Sequence, residues 1–356
     1  MLKNNSSLSW RIEMLRFPLI VGILFIHIYT DEINFNYTSS LSGFYAFVVE
    51  YLSNVVARVS VPLFFLLSGF LFFCNLTPSK EGFVKKINSR FYTLFVPFVF
   101  WNIIIFIFYA FAQTLPVTLH YFSGERPWVM QLDMMETVEL FFGLGDFKYP
   151  VAYQFWFIRD LIVIVVFSPL IYLFLKKASY LFLALLFGVW FFDLLHLSYI
   201  QISSTSIFFF CFGAYLGMKR YDFSLSDRYS GLIISTYVPL SIVDALTNND
   251  FIHNISVLVG TIALFSVTKY LMHMKKVKKR LINLAKYSFF VYALHEPLLS
   301  ILRKMIFKAL YPLSDFSIFL LYFICVFLTI FITIRIYKFL QKVSPHVVTI
   351  STGGRF

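Results

Sequence analysis

Charge is scarce in this chain of 356 residues. Asp, Glu, Lys and Arg together make up 13% of it, against about 25% in ordinary globular domains. Apolar residues reach 59%, phenylalanine fills 47 positions, and mean hydropathy is +0.78. A soluble fold of that composition would expose too much apolar surface, so a water-soluble globular protein is excluded. Cysteine is also sparse. Cys74, Cys211 and Cys325 lie in or beside apolar runs, with neither a disulfide framework nor ligand spacing, and they read as packing residues. The histidines are scattered without ligand spacing, so no metal site is expected. No small-residue cleavage site follows the first apolar run, which reads as an uncleaved first helix. Internal repeats and low-complexity tracts are missing too.

Long apolar runs are what the chain does have. Segments of spanning length fall at 14–30, 52–74, 91–112, 154–175, 180–196, 203–218, 230–246, 251–272, 284–302 and 317–341. The expected fold is all-α, a polytopic membrane protein of about ten transmembrane helices. Segment 41–52 reads as an interfacial lead-in to the second helix. Residues 1–342 form one transmembrane domain, and 343–356 a short cytoplasmic tail expected to be disordered.

The formal net charge of +12 does not argue for nucleic acid, because the basic residues cluster between apolar segments. With the N-terminus in the cytoplasm, the inner loops hold Lys80, Lys85, Lys86, Arg90, Lys176, Lys177, Lys219, Arg220 and Arg228. The densest inner group runs from Lys269 to Lys286. The outer loops hold Arg126, Lys148, Arg303, Lys304 and Lys308. This asymmetry fits ten spans with both ends inside. The longest loop, 113–153, is then external. Its Asp133, Glu136, Glu139, Asp146, Trp128 and Tyr149 suit sugar recognition and suit an ordinary solvated loop equally.

Few ionisable residues interrupt the apolar runs, and those are the functional candidates. Arg16 and His27 stand eleven residues apart in the first run. At about 100° per residue that is three turns plus about 20°, so both lie on one helix face. The rise is about 16 Å, which puts the imidazole near mid-bilayer if Arg16 marks the inner interface. Arg58 lies about 24 Å above Cys74, and Arg159 and Asp160 about 25 Å above Lys176. His295 and Glu296 lie about 14 Å above Lys286. Isolated charges at such depths are expensive, so these helices are expected to enclose a shared polar cavity. Ser68-Gly69 and the Gly213/Gly217 pair read as close-packing devices.

These stretches occur in an order that resembles the acyltransferase-3 family of integral membrane acyltransferases, which modify bacterial surface carbohydrates. The matching stretches are Arg16-x10-His27, Arg58-VSVPLFFLLSGFL, PFVFW ending at Trp101, FWFIRDLIVIVVFSPLI, FGAYLG and YSFFVYALHEPLL. Together they run over nearly the whole chain. The resemblance implies ten helices and a bacterial inner-membrane location. It implies that His27 is catalytic and carries Arg16 with it. Where the family often shows an arginine pair, this chain reads Lys85-Lys86-Ile-Asn-Ser-Arg90.

The reaction implied is transfer of an acyl group, in the first instance acetyl, from cytoplasmic acetyl-CoA or another acyl-CoA to a carbohydrate or lipid-linked glycan. Lys86, Arg90 and the basic 269–286 stretch are candidate contacts for the coenzyme phosphates. His27 would act as general base on a sugar hydroxyl or accept the acyl group itself. Arg58 or Arg159 would stabilise the oxyanion or hold the acceptor, with Trp156, Asp160, His295 and Glu296 as further acceptor contacts. Arg16 would hold the donor or pair with Glu13. The rival expectation is a glycan or lipid transporter or flippase.

Overall fold

A computed structural model describes residues 6–29, 41–119, 127–195, 197, 199–223, 227–247, 249–311 and 314–354. The described residues form helices and connecting turns with no strand, apart from one bridge between Leu144 and Ile200. The chain is an all-α polytopic membrane protein. Seven helical stretches are long and apolar enough to cross a membrane: Ser7–Tyr29, Gly43–Phe73, Lys80–Ala112, Ser168–Phe191, Ser230–Thr247, Asp250–His273 and Asp315–Val343. Contacts divide the molecule into two compact units. One comprises Met1–Asp31, Phe35–Leu76 and Phe209–Lys338; the other comprises Glu32–Asn34, Thr77–Phe208 and Phe339–Phe356.

In the first unit, α1 (Ser6–Tyr29) is followed by a helical run from Gly43 to Phe73. That run is not uniform. It begins as α2 (Gly43–Glu50), widens into a π-turn over Tyr51–Val56, tightens into a 3-10 turn over Ala57–Val59, and resumes as α3 (Ser60–Phe73). Pro62 explains the irregularity: it has no N–H for the carbonyl four residues earlier, and its ring crowds that carbonyl. Residues before it therefore rewind, with Ala57 N–H donating to Leu52 O and Ser60 N–H to Ala57 O. The same logic runs through Phe91–Phe95, a π-turn just ahead of Pro97. Segment 41–52, expected as an interfacial lead-in, is instead the first part of this run: α2 and the opening of the π-turn.

Glycine sets how closely the helices approach. A Cβ on Gly22 of α1 would strike the Ser60 hydroxyl, so α1 crosses α3 at this point. Against α10 (Ser204–Met218), a Cβ on Gly69 would meet Phe210 O, one on Gly213 would meet Leu66 O, and one on Gly217 would meet Phe70 O. The small-residue pattern therefore brings backbone onto backbone. α11 (Ser230–Thr247) and α12 (Asp250–His273) form a hairpin in which Asn249 caps α12 by accepting from Phe251 and Ile252 N–H. Next come α13 (Lys275–Ala285), α14 (Ser288–Leu310) and α15 (Asp315–Val343).

The structure changes two expectations in this unit. The basic 269–286 stretch, expected as a loop, is helical along most of its length, and Lys278 Nζ sits 5.2 Å from the Trp10 ring centroid. Arg303, Lys304 and Lys308, expected in an outer loop, belong to α14, where Arg303 and Lys304 are buried. α14 breaks at Glu296 (φ −109, ψ 135) because a residue before proline, here Pro297, is pushed out of the helical region. Arg11, which was not among the candidates read from sequence, is buried. It donates to Thr268 Oγ1 (2.7 Å), Asp227 Oδ2 (2.9 Å) and Phe265 O (3.2 Å), and its guanidinium lies 4.4 Å from the Phe265 ring centroid.

The second unit contains α4 (Lys80–Arg90), α5 (Val96–Ala112), α6 (Pro116–Leu119), α7 (Met134–Phe142), α8 (Trp156–Val166) and α9 (Ser168–Phe191). The boundary expected near residue 178 is a kink at Ala178 (φ −145, ψ 51), and an additional break at Phe167 precedes Pro169. Much of the described part of loop 113–153 is folded; Arg126 lies outside the described residues. Gln113 bridges to Pro127 O and Val129 N–H, both at 2.9 Å. Asp133 and Glu136 close a capping box on α7. Glu139 accepts from the Tyr199 hydroxyl at 3.2 Å and raises that phenol above its ordinary range. Three of the loop's carboxylates therefore serve local structure. The tail expected to be disordered instead forms α16 (Pro345–Thr352), and Trp101 Nε1–H donates to Ser351 O at 2.8 Å.

Candidate active site

His27 sits near the C-terminal end of α1, two residues before Tyr29. The Gly22 crossing fixes one level of the contact between α1 and the Gly43–Phe73 run. Ser53 fixes the next, donating to Phe25 O at 2.7 Å while its oxygen lies 2.5 Å from the Tyr322 hydroxyl of α15. Tyr29 fixes the third, donating to Glu50 Oε2 at 2.6 Å. His27 lies between the second and third levels. Its ring centroid is 5.0 Å from that of His295 on α14, with the planes 43° apart.

His295 is fully buried. Its Nδ1 hydrogen-bonds to Tyr292 O, and a carbonyl can only accept, so the proton is on Nδ1. In the neutral ring Nε2 then carries a lone pair. That Nε2 is buried and has no hydrogen-bond partner among the described residues. Glu296 is also buried and accepts from Ser300 Oγ at 2.8 Å. Arg303, one helical stretch further along α14, donates to Ile28 O at 3.1 Å, next to His27 in the chain.

Arg58 lies on the same helical run as Ser53 and Glu50, which meet α1 at Phe25 and Tyr29 on either side of His27. Its Nη2 donates to Asn54 Oδ1 at 3.2 Å, and Asn54 Nδ2 reaches both Glu50 oxygens at 3.0 Å. Glu50, Asn54 and Arg58 are spaced four residues apart, so they form one row along the helical run. Arg58, His295 and Glu296 are thus gathered in the unit that holds His27. Glu50, Asn54 and Tyr29 were not among the candidates read from sequence, although the i, i+4, i+8 spacing ending on Arg58 is a readable signal.

Arg16 is elsewhere. Its side chain is 44% exposed and lies 3.4 Å from Glu13, so the intrahelical pair forms. Lys86 and Arg90 lie on α4 in the second unit, half-buried on a helix that Ser79 caps by accepting from Gly82 N–H at 3.1 Å.

Arg159 and Asp160 form a knot within the second unit. Arg159 Nε and Nη2 donate to Asp160 Oδ1 at 3.1 and 3.0 Å. Nη1 donates to Gly143 O (2.8 Å) and Lys148 O (3.1 Å), and Nη2 to Gln201 O (2.6 Å). A guanidinium has five N–H groups, and these bonds use all five. Asp160 Oδ2 accepts from Ser203 N–H (2.9 Å) and Ser206 Oγ (3.1 Å). Both side chains are buried. Instead of offering hydrogen bonds to an acceptor, the pair ties residues 143–148 and 201–206 to α8. Trp156, at the start of α8, is half-buried and stands edge-on to Phe157 with centroids 6.4 Å apart.

A multi-pass helical membrane protein with an imidazole pair and an arginine among its transmembrane segments defines the class. Residues 9–337 match the acyltransferase-3 family, described as an acyltransferase domain, and the chain belongs to it. It is an acyltransferase. The chain is similar to the succinoglycan biosynthesis protein ExoH of Rhizobium meliloti (strain 1021), with 23% identity over 371 residues, covering 99% of this chain and 94% of that protein. No solved structure matches it.

Proposed function

We propose that the protein is a bacterial inner-membrane O-acyltransferase. It moves an acyl group, acetyl in the first instance, from cytoplasmic acyl-CoA to a hydroxyl of a surface or exported carbohydrate or lipid-linked glycan. The observation that carries this reading is the His27–His295 pair, 5.0 Å apart, with Arg58 close by in a transmembrane unit of an acyltransferase. A relative named for succinoglycan biosynthesis supports a carbohydrate acceptor. The charge asymmetry between apolar segments supports ten spans with both termini in the cytoplasm.

In the reaction His27 takes the proton of the acceptor hydroxyl as its oxygen attacks the thioester carbonyl. The carbonyl becomes a tetrahedral oxyanion, and the Arg58 cation stabilises that charge. Collapse expels the coenzyme thiolate, which recovers the proton from the His27 imidazolium. An ester and a free thiol result, and His27 ends as it began. Lys86 and Arg90 would bind the coenzyme phosphates. An acyl-His27 intermediate is the other route, and trapping labelled protein without acceptor distinguishes it.

The break in α14 at Glu296 is the observation that favours a transporter, because such proteins use discontinuous helices at their sites. Purified protein in nanodiscs, given radiolabelled acetyl-CoA and glycan-bearing membranes, separates the readings. Labelled glycan is the expected product. Movement of unmodified glycan without label would establish transport instead.

A further inference from the structure

The catalytic reading leaves the basic helix α13 without a role. We propose that the exposed face of α13 docks on anionic phospholipid headgroups at the cytoplasmic membrane surface. The proposal rests on the membrane topology above, and the transfer reaction plays no part in it.

The arrangement of charge is the first observation. Counted from Lys275 at about 100° per residue, Lys286 falls at about 20°, Lys279 at about 40°, Asn283 at about 80°, Lys276 at about 100° and Arg280 at about 140°. These six side chains fill one arc, and all six are exposed. Leu284, Val277 and Leu281 occupy the opposite side and are half-buried, and α13 packs against α1. The exposed face is therefore five cations and an amide. No Asp or Glu occurs between Asp250 and Glu296, and among the described residues no carboxylate pairs with any of the five. Lys275 with Lys279, and Lys276 with Arg280, are like charges one turn apart, which weakens the helix. Lys275 and Lys276 also stand in its first turn, where the helix dipole disfavours cations, and Met274 gives that end no side-chain cap. An anionic surface offsets each of these costs.

Level is the second observation. α13 follows the spanning helix α12 after Met274 alone, so it begins where the span ends. Trp10 is 42% exposed, and its ring centroid lies 5.2 Å from Lys278 Nζ. Exposed tryptophan belongs at the headgroup layer of a membrane, which sets α13 at the height of the lipid phosphates. Long basic side chains reach such phosphates, and each adds to the attraction. Spread along about 16 Å of helix, the five charges match an array of headgroups rather than one small anion.

The test is quenching of Trp10 by lipids brominated near the head of the acyl chain. Full-length protein is reconstituted in phosphatidylcholine vesicles holding a minority of brominated phosphatidylglycerol or of brominated phosphatidylcholine. The chain has five tryptophans, so the Trp10 signal is the difference between each protein and its Trp10→Phe counterpart. Wild type should be quenched at least twofold more by the anionic lipid, and high salt should remove most of that preference. Exchanging Lys275, Lys276, Lys279, Arg280 and Lys286 together for Gln should bring the ratio close to one. The pair Lys276→Gln and Arg280→Gln should lower it part-way, which keeps the test decisive if five changes unfold the protein. Lys80→Gln with Lys85→Gln removes two exposed charges on another helix and should leave the preference intact. Equal quenching of wild type by both lipids, or an unchanged preference in the Gln variants, overturns the docking. So does a tenfold loss of calorimetric acetyl-CoA affinity in the five-residue variant with its lipid preference untouched, which would give the face to the coenzyme.

Discussion

Replacing Arg159 asks whether that residue holds the fold or holds the acceptor. Arg159 makes five hydrogen bonds, three to the carbonyls of Gly143, Lys148 and Gln201 and two to Asp160. Lysine keeps the charge but has three N–H groups and no planar fork, so at least two of the five bonds go. At about 1.5–3 kcal/mol for each bond involving a charged group, part of which the retained lysine charge recovers, Arg159→Lys should cost about 2–4 kcal/mol. Arg159→Leu goes further, because it leaves the fully buried Asp160 without its cation; the cost should be about 3–5 kcal/mol. Asp160→Asn in the same background should recover part of the loss. Stability in detergent is read from thermal unfolding, and acceptor KM from label transfer. The expected outcome is a marked loss of stability, with the surviving Arg159→Lys protein keeping its acceptor KM. A stable Arg159→Lys with acceptor KM raised tenfold would refute the knot and return Arg159 to the binding site.

Two further outcomes follow from the structure. Gly213→Val would drive a side chain into the Leu66 carbonyl and part α3 from α10, costing about 1–3 kcal/mol in the same unfolding measurement; an unchanged melting temperature would contradict the backbone contact. Arg90→Ala should raise the acetyl-CoA KM at least severalfold and leave the acceptor KM alone, as measured by initial rates at varied donor; an unchanged donor KM would remove Arg90 from the coenzyme site.

The sequence made some of this legible and hid the rest for physical reasons. Apolar runs report burial and length directly, so the helices at 230–246, 251–272 and 317–341 could be read with little error, whereas the first begins at Ser6, eight residues before the apolar run. Gly69 and Gly213 announced close packing because nothing else suits a small residue within a Phe-rich helix. His27, Arg58 and His295 stood out because polar groups at depth are rare. Glu50 was missed because it sits near the end of an apolar run, where a carboxylate looks interfacial; only the continuation of the helix back to Gly43 places it in a row with Asn54 and Arg58. Arg159 reads as an acceptor contact, and the structure shows its N–H groups engaged within the protein. Its partners are carbonyls, which every residue has, so spacing gives no hint of them. The tail 343–356 is polar enough to look loose, and only the Trp101–Ser351 hydrogen bond and burial of Thr352 reveal its anchorage.

The central claim is that His27 performs the proton transfer. Its most direct test is label transfer from acetyl-CoA to glycan by purified His27→Ala in nanodiscs, beside wild type and with unfolding temperatures matched. Removing a general base should lower the transfer rate by about 10²–10⁴-fold, with the protein still folded. A folded His27→Ala that acylates glycan within a few-fold of wild type would contradict the account.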